Sequence, residues 1–276
     1  MNRPEIEPNF AGIMLRRAEL NPERAALIFE GETLLYGEFA DRVKRQATLL
    51  REAGVCVGDR VGYLGFNHPA LLETIFAAQA LGAVFVPLNF RLTAEELTFI
   101  INDAGVHSLF VDDELQPVIA PARDKLCCHQ FFSSESEAEG WRHLATERAA
   151  ASPIAGAVSV DVHDLAVIMY TSGTTGLPKG AMLTHGNLLW NNINATMAFG
   201  GGREDVILTA APLFHIGGLN VMTLHSFHVG STLVLLRNFD PALVLENFER
   251  YRVTHMFGAP AMFLFMSQQP QFANTD

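Results

Sequence analysis

Short apolar runs bounded by turn residues alternate with helical patterns through most of this chain, and that alternation restricts it to largely parallel sheets covered by helices. Residues 26–29 and 33–36, parted by Glu30-Gly31-Glu32, predict a small hairpin. Phe39, Val43, Ala47 and Leu50 then recur at helical spacing, and Gly54 stands where that helix would stop. A strand is expected over residues 60–64, a helix over 69–81 ended by Gly82, and a buried strand over 83–86 before Pro87. Thr93, with Glu96 three residues on, has the spacing of a capping box, and residues 108–111 predict a further strand.

The rhythm is lost between about residues 117 and 153, where acidic and alanine-rich stretches predict a peripheral arm. It resumes with strands at 165–170, 206–209 and 231–235, a helix entered through Asp240 with Pro241 at its first position, and a strand at 253–257. The expected fold is α/β, with two doubly wound, largely parallel sheet subdomains. Residues 1–160 would form the first with its arm, and 161–276 the second, incomplete at its C-terminus. The closing residues, 268–276, read as a loop rather than a finishing element.

Charge narrows the partners. The net charge of -11, with no run of Lys or Arg, argues against nucleic acid or an anionic membrane surface. A polyanionic ligand would have to be held locally. Three cysteines, Cys56, Cys127 and Cys128, are too few for a disulfide framework and lack metal spacing, so a reducing, cytoplasmic setting is expected. The opening MNRPEIEPNF lacks the basic start and apolar run of an export signal. Residues 206–236 carry no Asp, Glu, Lys or Arg, but Pro212, three histidines and repeated glycines interrupt them, which predicts strand, loop and helix rather than a membrane span.

The segment that carries most chemistry is Tyr170-Thr-Ser-Gly-Thr-Thr-Gly-Leu-Pro-Lys-Gly180, directly after an apolar strand. Gly173, Gly176 and Gly180 let the backbone aim N–H groups at a ligand, Thr171, Ser172, Thr174 and Thr175 add hydroxyls, and Lys179 adds one cation. Such a set suits a triphosphate. The plain alternative is a Ser/Thr/Gly turn without a ligand. A Walker loop would need glycine where Pro178 stands, and residues 180–184 continue as a strand, which disfavours a nucleotide hydrolase of that class.

This string, followed by Thr184-His185, resembles the AMP-binding signature of the adenylate-forming superfamily, which includes acyl-CoA synthetases, luciferases and peptide-synthetase adenylation domains. Residues 35–40 (LYGEFA), 81–89 (LGAVFVPLN) and 212–219 (PLFHIGGL) are also similar to this superfamily, and the last two resemble its acyl-CoA synthetase branch. The resemblance implies that residues 171–179 wrap the phosphates of ATP, with Thr171 touching Mg2+ and Lys179 catalytic. It further implies two steps, carboxylate to acyl-adenylate and then to a thioester of CoA. His215 would lie beside the carboxylate, and Gly217, Gly218, Gly258, Ala259, Pro260 and Met262 would line the acyl and thiol passages. On residue type alone, His215 reads equally as a buried structural histidine, and the apolar stretches equally as core. His225 and His228, three apart, lack carboxylate or cysteine partners at ligand spacing and read as packing or surface residues.

The family's segments for adenine, ribose, hinge and C-terminal lysine have no counterpart in these residues. Two readings follow: the N-terminal part of a ligase for a fatty or other apolar acid, or a non-catalytic nucleotide- or acyl-binding module. Aryl acids, succinylbenzoate-like acids and carrier-protein acceptors are the alternatives within the first. Exposed apolar surface, and with it a homodimer, is expected of the chain on its own.

Overall fold

The computed structural model describes residues 9–171 and 177–275. Among them the main elements run α1 (Phe10–Leu20), β1 (Ala25–Phe29), β2 (Glu32–Leu35), α2 (Tyr36–Glu52), β3 (Arg60–Leu64), α3 (Pro69–Ala80), β4 (Val84–Leu88), α4 (Ala94–Ala104) and β5 (Val106–Val111). They continue with α5 (Gln116–Ile119), β6 (Gln130–Ser133), β7 (Arg142–His143), α6 (Leu144–Ala150), β8 (Leu165–Thr171), β9 (Lys179–Thr184), α7 (His185–Phe199) and β10 (Val206–Thr209). A π-helical segment (Gly217–Thr223), α8 (Leu224–Val229), β11 (Thr232–Leu235), α9 (Pro241–Tyr251), β12 (His255–Met256) and α10 (Pro260–Ser267) complete the order.

Two sheets form, ordered β12-β10-β11-β1-β2 and β7-β6-β5-β3-β4-β8-β9. The β1–β2 and β8–β9 pairs are antiparallel and the remaining neighbours parallel. The expected α/β class and the early hairpin are present. The sheets do not divide at residue 160, however. β1 and β2 join the five-stranded sheet beside β11, while β8 and β9 close the seven-stranded sheet beside β4. Local patterns mark a strand but not its partner, which burial across the whole chain decides.

The arm expected over residues 117–153 needs a second correction. It supplies β6 and β7, which extend the seven-stranded sheet, and α6, whose Arg148 reaches Glu73 of α3. Glu73 is buried and also pairs with Arg42 at 3.3 Å, so a carboxylate inside the core is offset by two guanidinium groups. The strand expected at 253–257 shortens to β12. The uncharged stretch at 206–236 becomes strand, turn, helix and strand, and no helix among the described residues is long and apolar enough to cross a membrane.

Helices α1, α2, α3 and α8 share one core cluster with strands of both sheets, including Leu27 and Leu233 of one and Val61 and Phe85 of the other. Phe76 sits at its centre, 5.8 Å from the rings of Phe10 and Phe39 and 4.9 Å from that of Phe227. These offset and edge-on contacts add to the burial of large apolar side chains. The two sheets are thereby held in one body, with their strand ends facing a shared seam.

Candidate functional site

The seam opens into a cavity where β4 and β8 part. Phe85 and Val167 are the pair in register between these strands. Two residues further along β4, Pro87 has no N–H to give to a neighbour, and the ladder stops. A cavity of about 510 Å³ lies beyond, lined on one side by Pro87, Leu88 and Asn89 and on the other by Met169, Tyr170 and Thr171. Glu95, Phe99 and Ile100 of α4, with Phe214, His215 and Ile216 from the turn after β10, complete much of its wall.

The base of the glycine-rich loop is set by β-pairing. β8 and β9 run antiparallel with Tyr170 opposite Gly180 and Thr171 opposite Lys179. Thr171 and Lys179, a hydroxyl and an ammonium, are thus cross-strand neighbours. Both ends are exposed. Thr171 lines the cavity, and Lys179 stands at the opposite side of the loop's neck. The expected phosphate-binding residues Ser172, Gly173, Thr174, Thr175 and Gly176 lie outside the described residues.

His215 is placed by a compact turn. Its backbone N–H donates to Pro212 O at 3.2 Å, and its carbonyl accepts from Leu219 at 3.0 Å. Its Nδ1 accepts from the Gly217 amide at 3.2 Å, so the neutral ring carries its proton on Nε2, the nitrogen left to donate to a ligand. The ring is exposed at the cavity wall, which is not the enclosed structural histidine that residue type alone allowed. Gly218 must lack a side chain here, because a Cβ would lie 2.2 Å from Pro212 O.

Gly217 packs against Phe257, whose ring a Cβ would meet at 2.7 Å. Phe257 thereby links the histidine turn to the segment of Gly258, Ala259, Pro260 and Met262, which forms the entry to α10. That segment is not part of the cavity lining; Met262 packs instead on the cluster under α9. His225 is buried and His228 half-buried on α8, where the His228 ring stacks on Phe10. Among the described residues no group of three or more His, Cys, Asp or Glu is arranged to hold a metal ion.

Several features had no signal in the sequence. Tyr170 donates to Asp103 of α4, an anchor for the strand that enters the loop. Arg91 lays its guanidinium over the rings of Phe90 and Phe214, 5.4 and 5.6 Å from their centroids, and so braces the histidine turn from the α4 side. Asn67, from the turn before α3, contacts the same region from beneath. Pro87, expected from the sequence to follow a strand at 83–86, instead lies within β4.

Comparison with known proteins shows the family of the chain and agrees with its fold. Residues 14–276 match the AMP-binding enzyme family. The chain is similar to a feruloyl-CoA synthase of Amycolatopsis sp., 41% identical over 95% of this chain and 51% of that protein. It is also similar to an indoleacetate–CoA ligase of Aromatoleum aromaticum, 35% identical over 95% of this chain and 51% of that protein. The crystal structure of a benzoate CoA ligase from Burkholderia xenovorans superposes with a TM-score of 0.87 at 26% identity, covering 96% of this chain and 53% of the other. The chain thus spans about half the length of the relatives it matches.

Proposed function

The chain belongs to the AMP-binding enzyme family, and on that premise we propose that it carries the nucleotide- and acid-binding half of an ATP-dependent acid–CoA ligase. The observation that supports this reading most is that His215 and Thr171, from separate sheets, open onto one cavity at the neck of a hydroxyl- and glycine-rich loop. In the first step a carboxylate oxygen attacks the α-phosphorus of ATP, the bond to pyrophosphate breaks, and an acyl-adenylate forms. In the second the thiol sulfur of CoA attacks the acyl carbonyl, AMP departs, and the thiol proton passes to solvent. Such chemistry asks the protein for positioning and charge neutralisation rather than a nucleophile of its own.

Lys179 is assigned the offsetting of phosphate charge, Thr171 and the loop hydroxyls the phosphate oxygens, and His215 a hydrogen bond from Nε2 to the acid or the acyl-adenylate. Mg2+ would arrive with the nucleotide. It needs only one or two protein oxygens and keeps its waters otherwise, a role the Thr171 hydroxyl suits. For the acid we favour an aryl-bearing carboxylate over the aliphatic chain expected from the sequence. Two relatives are named for acyl groups with planar rings, and Phe99, Ile100, Met169 and Phe214 give the cavity apolar walls that include two aromatic rings. A cytoplasmic setting with ATP and free CoA fits this chemistry.

The deciding measurement is carboxylate-dependent ATP–pyrophosphate exchange by the full-length protein against ferulate, indoleacetate, benzoate and decanoate. Exchange with the aryl acids, lowered about 100-fold or more by Lys179→Ala, is the expected outcome. Exchange with decanoate alone would overturn the aryl assignment. No exchange with any acid would leave the non-catalytic nucleotide-binding module as the better reading.

A further inference from the structure

Asn67 lies in the turn between β3 and α3 and is 3% exposed. Its side chain leaves its own sheet and engages the strand ends of the other. The amide nitrogen donates to Ala211 O at 3.1 Å and to Leu236 O at 3.0 Å, and the amide oxygen accepts from the Leu213 N–H at 2.9 Å. This orientation of the amide is the one that sets donors against carbonyls and the acceptor against an N–H. The Asn67 backbone N–H adds a bond to Arg237 O at 3.3 Å. Ala211 and Leu213 flank Pro212 directly after β10, while Leu236 and Arg237 follow β11.

We infer that Asn67 is a positioning residue for His215, an assignment that rests on the ligase reading above. The chain of contacts is short. Asn67 fixes the Leu213 N–H and the Ala211 carbonyl, and the Pro212 carbonyl between them receives the His215 N–H. Gly218 closes on the same Pro212 and Ala211 carbonyls without room for a side chain. The histidine turn is therefore seated on a side chain from the opposite sheet, and the sheet-to-sheet spacing sets where the imidazole meets the cavity. Removing the amide would leave two buried carbonyls and one N–H without their partner, and the turn would relax. The competing explanation is that apolar packing of Leu213, 1% exposed, holds the turn unaided.

Three variants separate these explanations: Asn67→Leu, His215→Ala and the two combined, in the full-length protein. Asn67→Leu is expected to lower the turnover of carboxylate-dependent exchange about 10- to 100-fold, as a displacement near 1 Å does, while the KM for ATP changes less than about twofold. Added to His215→Ala, it should cost almost nothing further, because its effect passes through that ring. Losses that multiply, or a fall in ATP affinity equal to the fall in turnover, would overturn the assignment.

A second measurement does not need turnover. Amide hydrogen exchange across residues 213–216 of the 276-residue chain should quicken at least tenfold in Asn67→Leu under conditions where thermal unfolding shows both proteins folded. Unchanged protection would sink the assignment even in an active enzyme, whereas a wild-type protein without exchange activity sinks the ligase reading and leaves the amide result to decide on Asn67. Should Asn67→Leu fail to fold, Asn67→Asp, of the same size but carrying a carboxylate against two carbonyls, is subject to the same criteria.

Discussion

Helices α3 (PALLETIFAAQA) and α10 (PAMFLFMS) are written alike and treated oppositely. Each begins with proline and carries apolar residues around much of its circumference. In α3 every residue from Ala70 to Ala80 is buried, whereas in α10 only Met266 is, and Phe263, Leu264 and Phe265 remain 46, 56 and 48% exposed. A helix apolar on all sides asks for cover on all sides, but its residues do not name the neighbour. α3 has α1, α2, β3 and β4 around it, while α10 rests mainly on α9. Apolar content is therefore a demand, and only the surrounding chain shows whether it is met.

The strongest way to break this comparison is at Phe76. Phe76→Ala should cost about 3–5 kcal/mol in urea unfolding, since the cavity left among Phe10, Phe39 and Phe227 cannot collapse. A loss below about 1 kcal/mol would mean that α3 is not the centre its burial suggests.

His185 sharpens the same contrast by enclosing a polar ring as completely as α3 encloses phenylalanine. It is 0% exposed, neither ring nitrogen has a hydrogen-bond partner among the described residues, and burial pushes its pKa from 6.5 down to about 4. Above pH 6.5 both folded and unfolded chains hold it neutral. As pH falls from 6.5 towards 4 the unfolded chain takes up a proton that the folded one refuses, so stability is lost, by up to on the order of 3 kcal/mol. His185→Leu should flatten that limb of the stability–pH curve. A variant as acid-sensitive as the parent would place the titration elsewhere.

The smallest effect on stability belongs to α10. Phe263→Glu with Phe265→Glu should change unfolding free energy by less than about 1 kcal/mol, as expected of exposed positions. If the homodimer expected from the sequence forms through this exposed face, the same pair should shift the 276-residue chain towards monomer in sedimentation. A cost as large as that of Phe76→Ala would show α10 to be covered after all.

Local chemistry made much of this legible. The Thr93–Glu96 box caps α4 with a bond of 3.3 Å from the Glu96 amide, and Asp240 accepts from the Ala242 and Leu243 amides ahead of Pro241 in α9. The stretch between Thr171 and Lys179 carried the densest chemical cue in the sequence, and its residues 172–176 lie outside the described ones. What remained hidden was contact between distant residues. Phe131 and Phe132 in β6 sit among polar neighbours and carry no periodicity strong enough to mark a sheet extension. Asn67 before His68-Pro69 reads as an ordinary turn residue, and nothing nearby in sequence tells that its amide serves carbonyls at 211 and 236.

The interleaving of the sheets has a consequence for how the molecule is made. Leu27 of β1 finds its parallel partner only at Leu233, so the hairpin that emerges early from the ribosome has no sheet to join until 206 more residues exist. At about 5–20 residues per second that is a wait of roughly 10–40 s, during which the apolar edge of β1 stands open. Synthesis thus exposes a strand edge for far longer than its local folding takes.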